Sequence, residues 1–102
     1  MHVISRRTLQ EAANQKRYAG SGPGLDAWYQ IARKAKWSNL EDVRRTFSAA
    51  DGVTVGSNTY TVFNIGGNKF RLITKVEYRY QTIYIKHVLT HAEYDREEWK
   101  RK

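Results

Sequence analysis

Cysteine is absent from this 102-residue chain, and proline and methionine each occur once. Without cysteine, the chain can hold neither a disulfide framework nor a thiolate metal site. No apolar run approaches the roughly 20 residues that a membrane-spanning helix needs. Residues 1–13 also lack the uninterrupted hydrophobic block of a signal peptide. We therefore expect a cytoplasmic protein with no membrane partner.

Acidic residues are scarce, since ten Asp and Glu stand against 18 Lys and Arg, for a formal net charge of +8. Such an imbalance in a small chain favours polyanionic partners, because it attracts them and releases their counterions. The length suffices for one domain with one modest core, so we expect residues 1–102 to form a single domain. Charge alone does not identify the polyanion.

Hydrophobic spacing predicts helices in the first half of the chain. Ser5 fits the N-cap of a first helix, which should end before the Gly- and Pro-rich segment 20–24. An apolar stripe with the i, i+3, i+4, i+7 spacing predicts a second helix that carries Leu25, Trp28, Tyr29, Ala32 and Ala35. Ser38 and Glu41 have the spacing of a capping box and predict the start of a third helix.

In the second half, the hydrophobic period changes to about two residues, which is typical of strands. Segments 59–65 and 69–78 flank a Gly-Gly-Asn sequence and predict a hairpin, because these residues tolerate the positive φ of tight turns. A third strand is expected at 82–89, followed by a capping-box pair, Thr90 and Glu93, that predicts a short last helix. The predicted fold class is α+β, with N-terminal helices packed on an antiparallel sheet and a short C-terminal helix.

The strand after the glycine turn carries a row of basic residues. Alternation directs Phe70 and Leu72 toward the helices and places the basic residues on the other face: Lys69, Arg71, Lys75 and Arg79. Basic groups position phosphates and aromatic rings stack on bases, so this face favours RNA or single-stranded nucleic acid. The alternative interpretation is an ordinary solvated sheet face.

The histidines predict no metal site, because no pair lies four residues apart on one predicted helix and no carboxylate motif accompanies them. His87 falls on the core parity of its strand together with Leu89, so a hydrogen-bonded structural role is the alternative to RNA contact. His91 and Tyr94 share one face of the last helix. An imidazole beside a phenol can act as acid or base in phosphodiester cleavage.

Three segments resemble the HigB family of bacterial toxins, relatives of the RelE superfamily of mRNA interferases: MHVIS at 1–5, YTVFNIGGNKFRLI at 60–73 and YIKHVLTHAEYD at 84–95. The glycine-asparagine hairpin followed by an arginine is one specific part, and the TH-x-EYD sequence is the other. The resemblance implies a RelE-like fold and an endoribonuclease that cuts mRNA in the ribosomal A site without a metal or cofactor. It also implies a HigA-like antitoxin with a helix-turn-helix domain.

The resemblance also implies roles for particular residues. Arg71 matches the arginine that these toxins direct at the scissile phosphate to stabilise charge in the transition state. Tyr94 resembles their C-terminal tyrosine, which serves in base stacking or proton transfer, and His91 would be the nearby acid or base. RNA contacts are expected from Asn68, Lys69, Lys75, Lys86 and His87. Strand 59–65 lacks the lysines that RelE-like enzymes often carry before the hairpin, so the general base stays open.

Structural interpretations stand beside these roles. Asn68 fits a left-handed turn position, Tyr94 can pack on the sheet edge with a wet hydroxyl, and Trp99 is a candidate partner contact. The helical spacing of the remaining large aromatics places them in the core or facing an antitoxin: Trp28, Tyr29, Trp37 and Phe47. Two other functions suit the same charge, namely a non-catalytic nucleic-acid-binding module and an interaction protein with an acidic partner.

Overall fold

The structure, a computed structural model that describes residues 1–101, is an α+β fold built on one five-stranded sheet. The helices are α1 (Arg6–Ala13), α2 (Gly22–Ala32), α3 (Leu40–Thr46) and α4 (His91–Asp95). The strands are β1 (His2–Ile4), β2 (Asp51–Val55), β3 (Asn58–Ile65), β4 (Phe70–Glu77) and β5 (Thr82–Thr90), in the spatial order β1-β5-β4-β3-β2. No helix in the described part of the chain is long and apolar enough to cross a membrane.

The sheet is mixed, because β1 pairs with β5 in parallel while all other pairs are antiparallel. The α+β class is confirmed, but the expectation of a wholly antiparallel sheet is wrong at this edge. Val3 pairs with Ile83 in the three-residue β1. A strand so short has no measurable period, and only its pairing with β5 defines it.

Two of the three predicted helix starts are confirmed. The Ser5 side chain accepts from the Thr8 backbone N–H, and Thr90 and Glu93 form the full capping box of α4. The pair at Ser38 is wrong by one residue, since Asn39 is the N-cap and accepts from the Asp42 backbone N–H at 2.9 Å. Serine and asparagine cap helices about equally well. Ser38 has Glu41 three residues later and Asn39 has Asp42 three residues later, so the spacing did not distinguish the two candidates.

The aromatic residues of the helical half pack on the inner face of the sheet, as their spacing predicts. Trp28, Trp37 and Phe63 are each at most 3% exposed. Phe63 on β3 receives the edges of Trp28 and Phe47, with ring centres 5.2 and 5.3 Å away. Each such pair adds about 1 kcal/mol to area burial. This core fixes β3 and β4 under the helices.

A β-bulge in β5 changes which residues face outward. Ile73 pairs with His87 while Thr74 pairs with Ile85, so Lys86 is an extra residue on β5. One extra residue reverses the alternation that follows it. His87 therefore lies on the face away from α1, α2 and α3, which we call the outer face, and its predicted core parity is wrong.

The outer face is apolar and partly covered, so it is not an ordinary solvated surface. Val62, Ile73 and Trp99 form a second buried cluster there. Trp99 is 6% exposed, stacks on Tyr94 with ring centres 5.7 Å apart, and meets Tyr60 edge-on at 5.8 Å. The interpretation of Trp99 as a partner contact is wrong, because its contacts are within the chain and hold α4 against the sheet.

Candidate active site

Arg71 is buried on the outer face at the hairpin end of β4, with 8% of its surface exposed. Its Nη2 donates to the Asn68 side-chain oxygen at 2.6 Å, and its Nη1 donates to the backbone oxygens of Asn68 and Phe70, both at 3.2 Å. Across residues 1–101, no carboxylate oxygen lies within 4.0 Å of this guanidinium. Neutral partners orient the group and leave its charge for an anion.

The glycine turn positions Asn68, the residue that holds the Arg71 side chain. Gly66 and Gly67 have φ values of +62° and +71°, in the left-handed region that side chains rarely adopt. Asn68 is absent from that region, so its predicted role as a left-handed turn residue is wrong. The two glycines turn the chain, and the asparagine that follows them holds Arg71.

Tyr94 lies over Arg71, with its ring centre 5.7 Å from the guanidinium carbon. Burial raises the pKa of the Tyr94 phenol, the charge of Asp51 raises it further, and Lys100 and Arg71 offset part of the effect. A tyrosine with a raised pKa keeps its proton at neutral pH. Tyr94 is thus protonated at neutral pH and can donate a hydrogen bond from its hydroxyl.

His91 begins α4 beside the hairpin end of the outer face. Its backbone N–H donates to the Lys69 carbonyl at 3.0 Å, and its Nε2 lies 3.2 Å from a carboxylate oxygen of Asp95. When Nε2 of a neutral imidazole donates to a carboxylate, Nδ1 is left as the proton acceptor. The imidazole is half exposed and reaches solvent from the same end of the sheet as Arg71.

The capping box holds α4 in this position. Glu93 accepts from the Thr90 backbone N–H at 2.9 Å and pairs with Arg17 at 3.0 Å. Burial opposes ionisation of Glu93, but the bonds from Thr90 and Tyr18 and the charge of Arg17 outweigh it and lower the pKa of this carboxyl. Glu93 is therefore ionised at neutral pH, where it fixes the start of the helix that carries His91 and Tyr94.

The predicted row of exposed basic residues is not observed. Arg71 is buried, Lys75 donates to the Asn58 side chain at 2.9 Å near the opposite end of β4, and Arg79 lies in a 3-10 turn after the strand. Lys69 is exposed at the hairpin. Lys86 is exposed at the bulge, where its ammonium lies 5.8 Å from the Tyr84 ring centre. Of the predicted RNA contacts, Asn68 and Lys69 lie beside Arg71, whereas Lys75 does not.

A cleft with a volume of about 250 Å³ opens beside the site and is lined by His87, Leu89, Trp99, Arg17 and Arg96, among others. Leu89 pairs with Arg71 across the β4–β5 ladder, but Arg71 itself does not line the cleft. The bulge turns His87 toward this cleft, against its predicted parity. Sequence reasoning missed this arrangement, because no residue type marks the bulge.

Two further residues of the site were missed. Asp51 lies close enough to Tyr94 to raise its pKa, and Trp99 provides the surface on which Tyr94 stacks. A signal for Trp99 existed in β3, where Tyr60 and Val62 place large apolar groups on the parity opposite Phe63. A strand that is apolar on both faces is expected to be packed against other parts of the chain on both faces.

The site combines an oriented cation, a protonated phenol and a carboxylate-paired imidazole at one end of a sheet. A cation held by neutral groups binds a phosphate oxygen, and the other two groups can transfer protons. Among residues 1–101, no three His, Cys, Asp or Glu side chains are arranged to hold a metal ion. These groups together have the chemistry that cleavage of a phosphodiester requires.

Comparison with known proteins specifies the family. Residues 22–97 match the family model described as HigB toxin, the RelE-like toxic component of a toxin-antitoxin system. The chain belongs to this family, which confirms the resemblance seen in its sequence. The "mRNA interferase toxin HigB" of Escherichia coli strain K12 is 33% identical over 95 residues, which cover 93% of this chain and 88% of that protein. The "mRNA interferase HigB" of Escherichia coli O6:H1 strain CFT073 is 29% identical over 96 residues, 94% and 90% of the two chains.

Proposed function

We propose that this chain is an endoribonuclease toxin that cleaves mRNA on the translating ribosome, in the cytoplasm, without a metal ion. A cognate HigA-like antitoxin with a helix-turn-helix domain neutralises it. The observation that supports this most directly is the buried Arg71 guanidinium, held by neutral partners under Tyr94. Family membership and the names of the relatives supply the substrate class.

In the proposed reaction, the 2′-hydroxyl attacks phosphorus and the 5′-oxygen leaves. The products are a 2′,3′-cyclic phosphate and a free 5′-hydroxyl. Arg71 binds a non-bridging oxygen and stabilises the extra negative charge that develops there. A preorganised donor of this kind typically contributes about 100- to 1,000-fold to the rate.

Two proton transfers accompany the attack. Tyr94 donates a proton or a hydrogen bond to the departing 5′-oxygen, because its raised pKa keeps the phenol protonated at neutral pH. His91, with Nε2 paired to Asp95, accepts the 2′-hydroxyl proton at Nδ1. Asn68 orients the arginine, and Lys69 contacts a neighbouring phosphate. Lys86 and His87 extend the RNA path toward β5.

The test is cleavage of a defined mRNA by the purified chain, added either to the RNA alone or to a reconstituted translation reaction. We expect cuts within translated codons during translation and a loss of about 100-fold or more for Arg71→Ala. Lys75→Ala is the matched control, because it removes a cation of the same strand that is bound to Asn58 away from the site.

Different results contradict different parts of the proposal. An intact mRNA in both reactions, with a folded wild-type chain, excludes the endoribonuclease and leaves a binding module. Equal cleavage of free and translated RNA excludes ribosome dependence alone. A helix-turn-helix protein encoded beside this chain should bind it and stop the cleavage; if it does neither, the antitoxin assignment is wrong.

A further inference from the structure

A second group of cations lies far from the candidate active site. Four basic side chains at the end of α2 and after β4 have no carboxylate within 4.0 Å among residues 1–101: Arg33, Lys34, Lys36 and Arg79. By contrast, most carboxylates of the described chain are paired with arginine or lysine elsewhere, such as Asp51 with Arg44. These four cations are therefore not neutralised by ion pairs within the described chain.

Three of these cations line an open cleft, and Arg79 lies beside Tyr80 at its edge. The cleft has a volume of about 510 Å³, and its lining includes Arg33, Lys34, Lys36 and Tyr80 but no acidic residue. All four cations are exposed. We name this surface, consisting of the four cations and Tyr80, the α2-end patch. Like charges gathered around a cleft focus its potential and attract a polyanion.

Tyr80 gives the patch an aromatic surface that packing does not explain. It is 69% exposed, and the Arg79 guanidinium carbon lies 5.5 Å from its ring centre. An exposed ring beside an arginine can stack on an unpaired base while the cation contacts phosphate. The cores of protein–protein interfaces are depleted in charged residues, whereas three lysine and arginine side chains line this cleft.

The patch is separate from the site around Arg71. Arg71 lies near the start of β4, and the patch begins beyond its last residue, Glu77. At about 3.4 Å per residue, the six steps from Arg71 to Glu77 span roughly 20 Å. A single extended nucleotide at Arg71 therefore does not reach Arg79.

We propose that the α2-end patch is a second RNA-binding surface, which holds the phosphate backbone of a structured RNA while Tyr80 stacks on an unpaired base. The choice of RNA as the ligand rests on the proposed function. The patch would dock the chain on folded RNA, and the Arg71 site would act on the substrate strand.

The test measures binding of the full chain to an RNA with a stem and a single-stranded segment, over a range of salt concentrations. The RNA carries 2′-fluoro groups, so it lacks the nucleophile of the proposed reaction and stays intact. Lys36→Gln/Arg79→Gln alters the patch. Arg7→Gln/Lys16→Gln is the control for net charge, because it removes the same formal charge from exposed residues of α1 and the turn after it, although Arg7 is paired with Glu11.

We expect the patch variant to lose about tenfold or more in affinity and to reduce the slope of log K against log salt by roughly two, because two phosphate contacts are lost. The control should lose less affinity. Tyr80→Ala should weaken binding by about tenfold without changing the salt slope, because stacking releases no counterions.

Equal losses in the patch and control variants would overturn the proposal, since net charge alone would then explain the binding. Unchanged RNA affinity in the patch variant would also overturn it. If that variant instead lost only antitoxin binding, the surface would belong to an acidic protein. The binding experiment uses RNA that cannot be cleaved. If the wild-type chain failed to cut mRNA, the proposed function would be wrong, but the binding measurement would still test the patch.

Discussion

At the scale of single residues, the orientation of Arg71 depends on hydrogen bonds to a residue close to it in the chain. Arg71 is oriented by the side chain and backbone of Asn68, only three residues earlier. A local anchor of this kind forms whenever the hairpin forms, so the cation is in place before any RNA arrives. Holding a catalytic group within a fraction of an ångström matters, because a displacement of about 1 Å can cost about 100-fold in rate.

Asn68→Ala should therefore lower cleavage about 10- to 100-fold while Arg71 is still present. Asn68→Asp should also lower it, although it preserves the anchor, because a carboxylate would neutralise the charge meant for phosphate. Single-turnover cleavage rates measure both effects. Asn58→Ala is the control, since it removes the amide that binds Lys75 instead. Full activity in Asn68→Asp would show that the free charge of Arg71 is not used.

Tyr94→Phe separates the hydroxyl from the ring. The variant keeps the stacking on Trp99 and the contact with Arg71, so its unfolding free energy should change little, whereas cleavage should fall about 100-fold if the hydroxyl transfers a proton. The raised pKa of Tyr94 can be tested separately by titration. In the difference between the absorbance titrations of wild type and variant, Tyr94 should ionise above the ordinary pKa of about 10. Ionisation below that value, or unchanged cleavage, contradicts the proposed role.

At the scale of elements, two local structures build the site: the β3–β4 hairpin brings Arg71, and the capped α4 brings His91 and Tyr94. They meet where the His91 backbone bonds Lys69. Both have strong local signals in the sequence, namely the glycines of the turn and the spacing of Thr90 and Glu93. For that reason the family pattern indicated that Arg71 and Tyr94 belong to one site. It did not indicate that the Tyr94 ring lies over the Arg71 guanidinium, 5.7 Å away.

Thr90→Ala tests the contribution of the α4 cap. It should lower the unfolding free energy by about 1 kcal/mol and also reduce cleavage, because the start of α4 carries His91 and supports Tyr94. Ser5→Ala is the matched control, since it removes the N-cap of α1 away from the site. Its stability loss should be similar, with cleavage retained. Equal cleavage in the two variants, measured below their melting range, would show that α4 placement does not limit the reaction.

The elements also show where sequence patterns stop being informative. Alternation along β4 gave the right faces, because that strand has no irregularity. Along β5 it failed after Lys86, since the bulge there depends on pairing with β4 and involves no glycine. The start of α3 was missed by one residue for a different reason, namely two equivalent capping residues in a row.

At the scale of the whole molecule, the sheet has two covered faces with different tasks. The inner face packs on the helices around Phe63, and the outer face packs on α4 and Trp99. The α+β class follows from the sequence, because a helical hydrophobic period is followed by a strand period along the chain. The covering of the outer face by Trp99 does not, because Trp99 lies in a polar segment and contacts Tyr60 only in the folded chain.

Charge at this scale is unevenly distributed. The net charge of +8 suggested one basic face on β4, but the cations without an ion pair are spread over the molecule, and one group of them forms the α2-end patch. Composition gives the sum of the charges, whereas ion pairing in the folded chain decides which of them remain available. Only the structure shows that pairing.

The central claim is that this chain cuts mRNA through Arg71, and the most direct measurement is induced expression in growing bacteria with transcript ends mapped. We predict that wild type arrests growth and creates new ends within translated codons, while Arg71→Ala, expressed to the same soluble level, does neither. Cuts that persist in Arg71→Ala would contradict the assigned site. Intact transcripts and unimpaired growth with soluble wild type would contradict the enzymatic function itself.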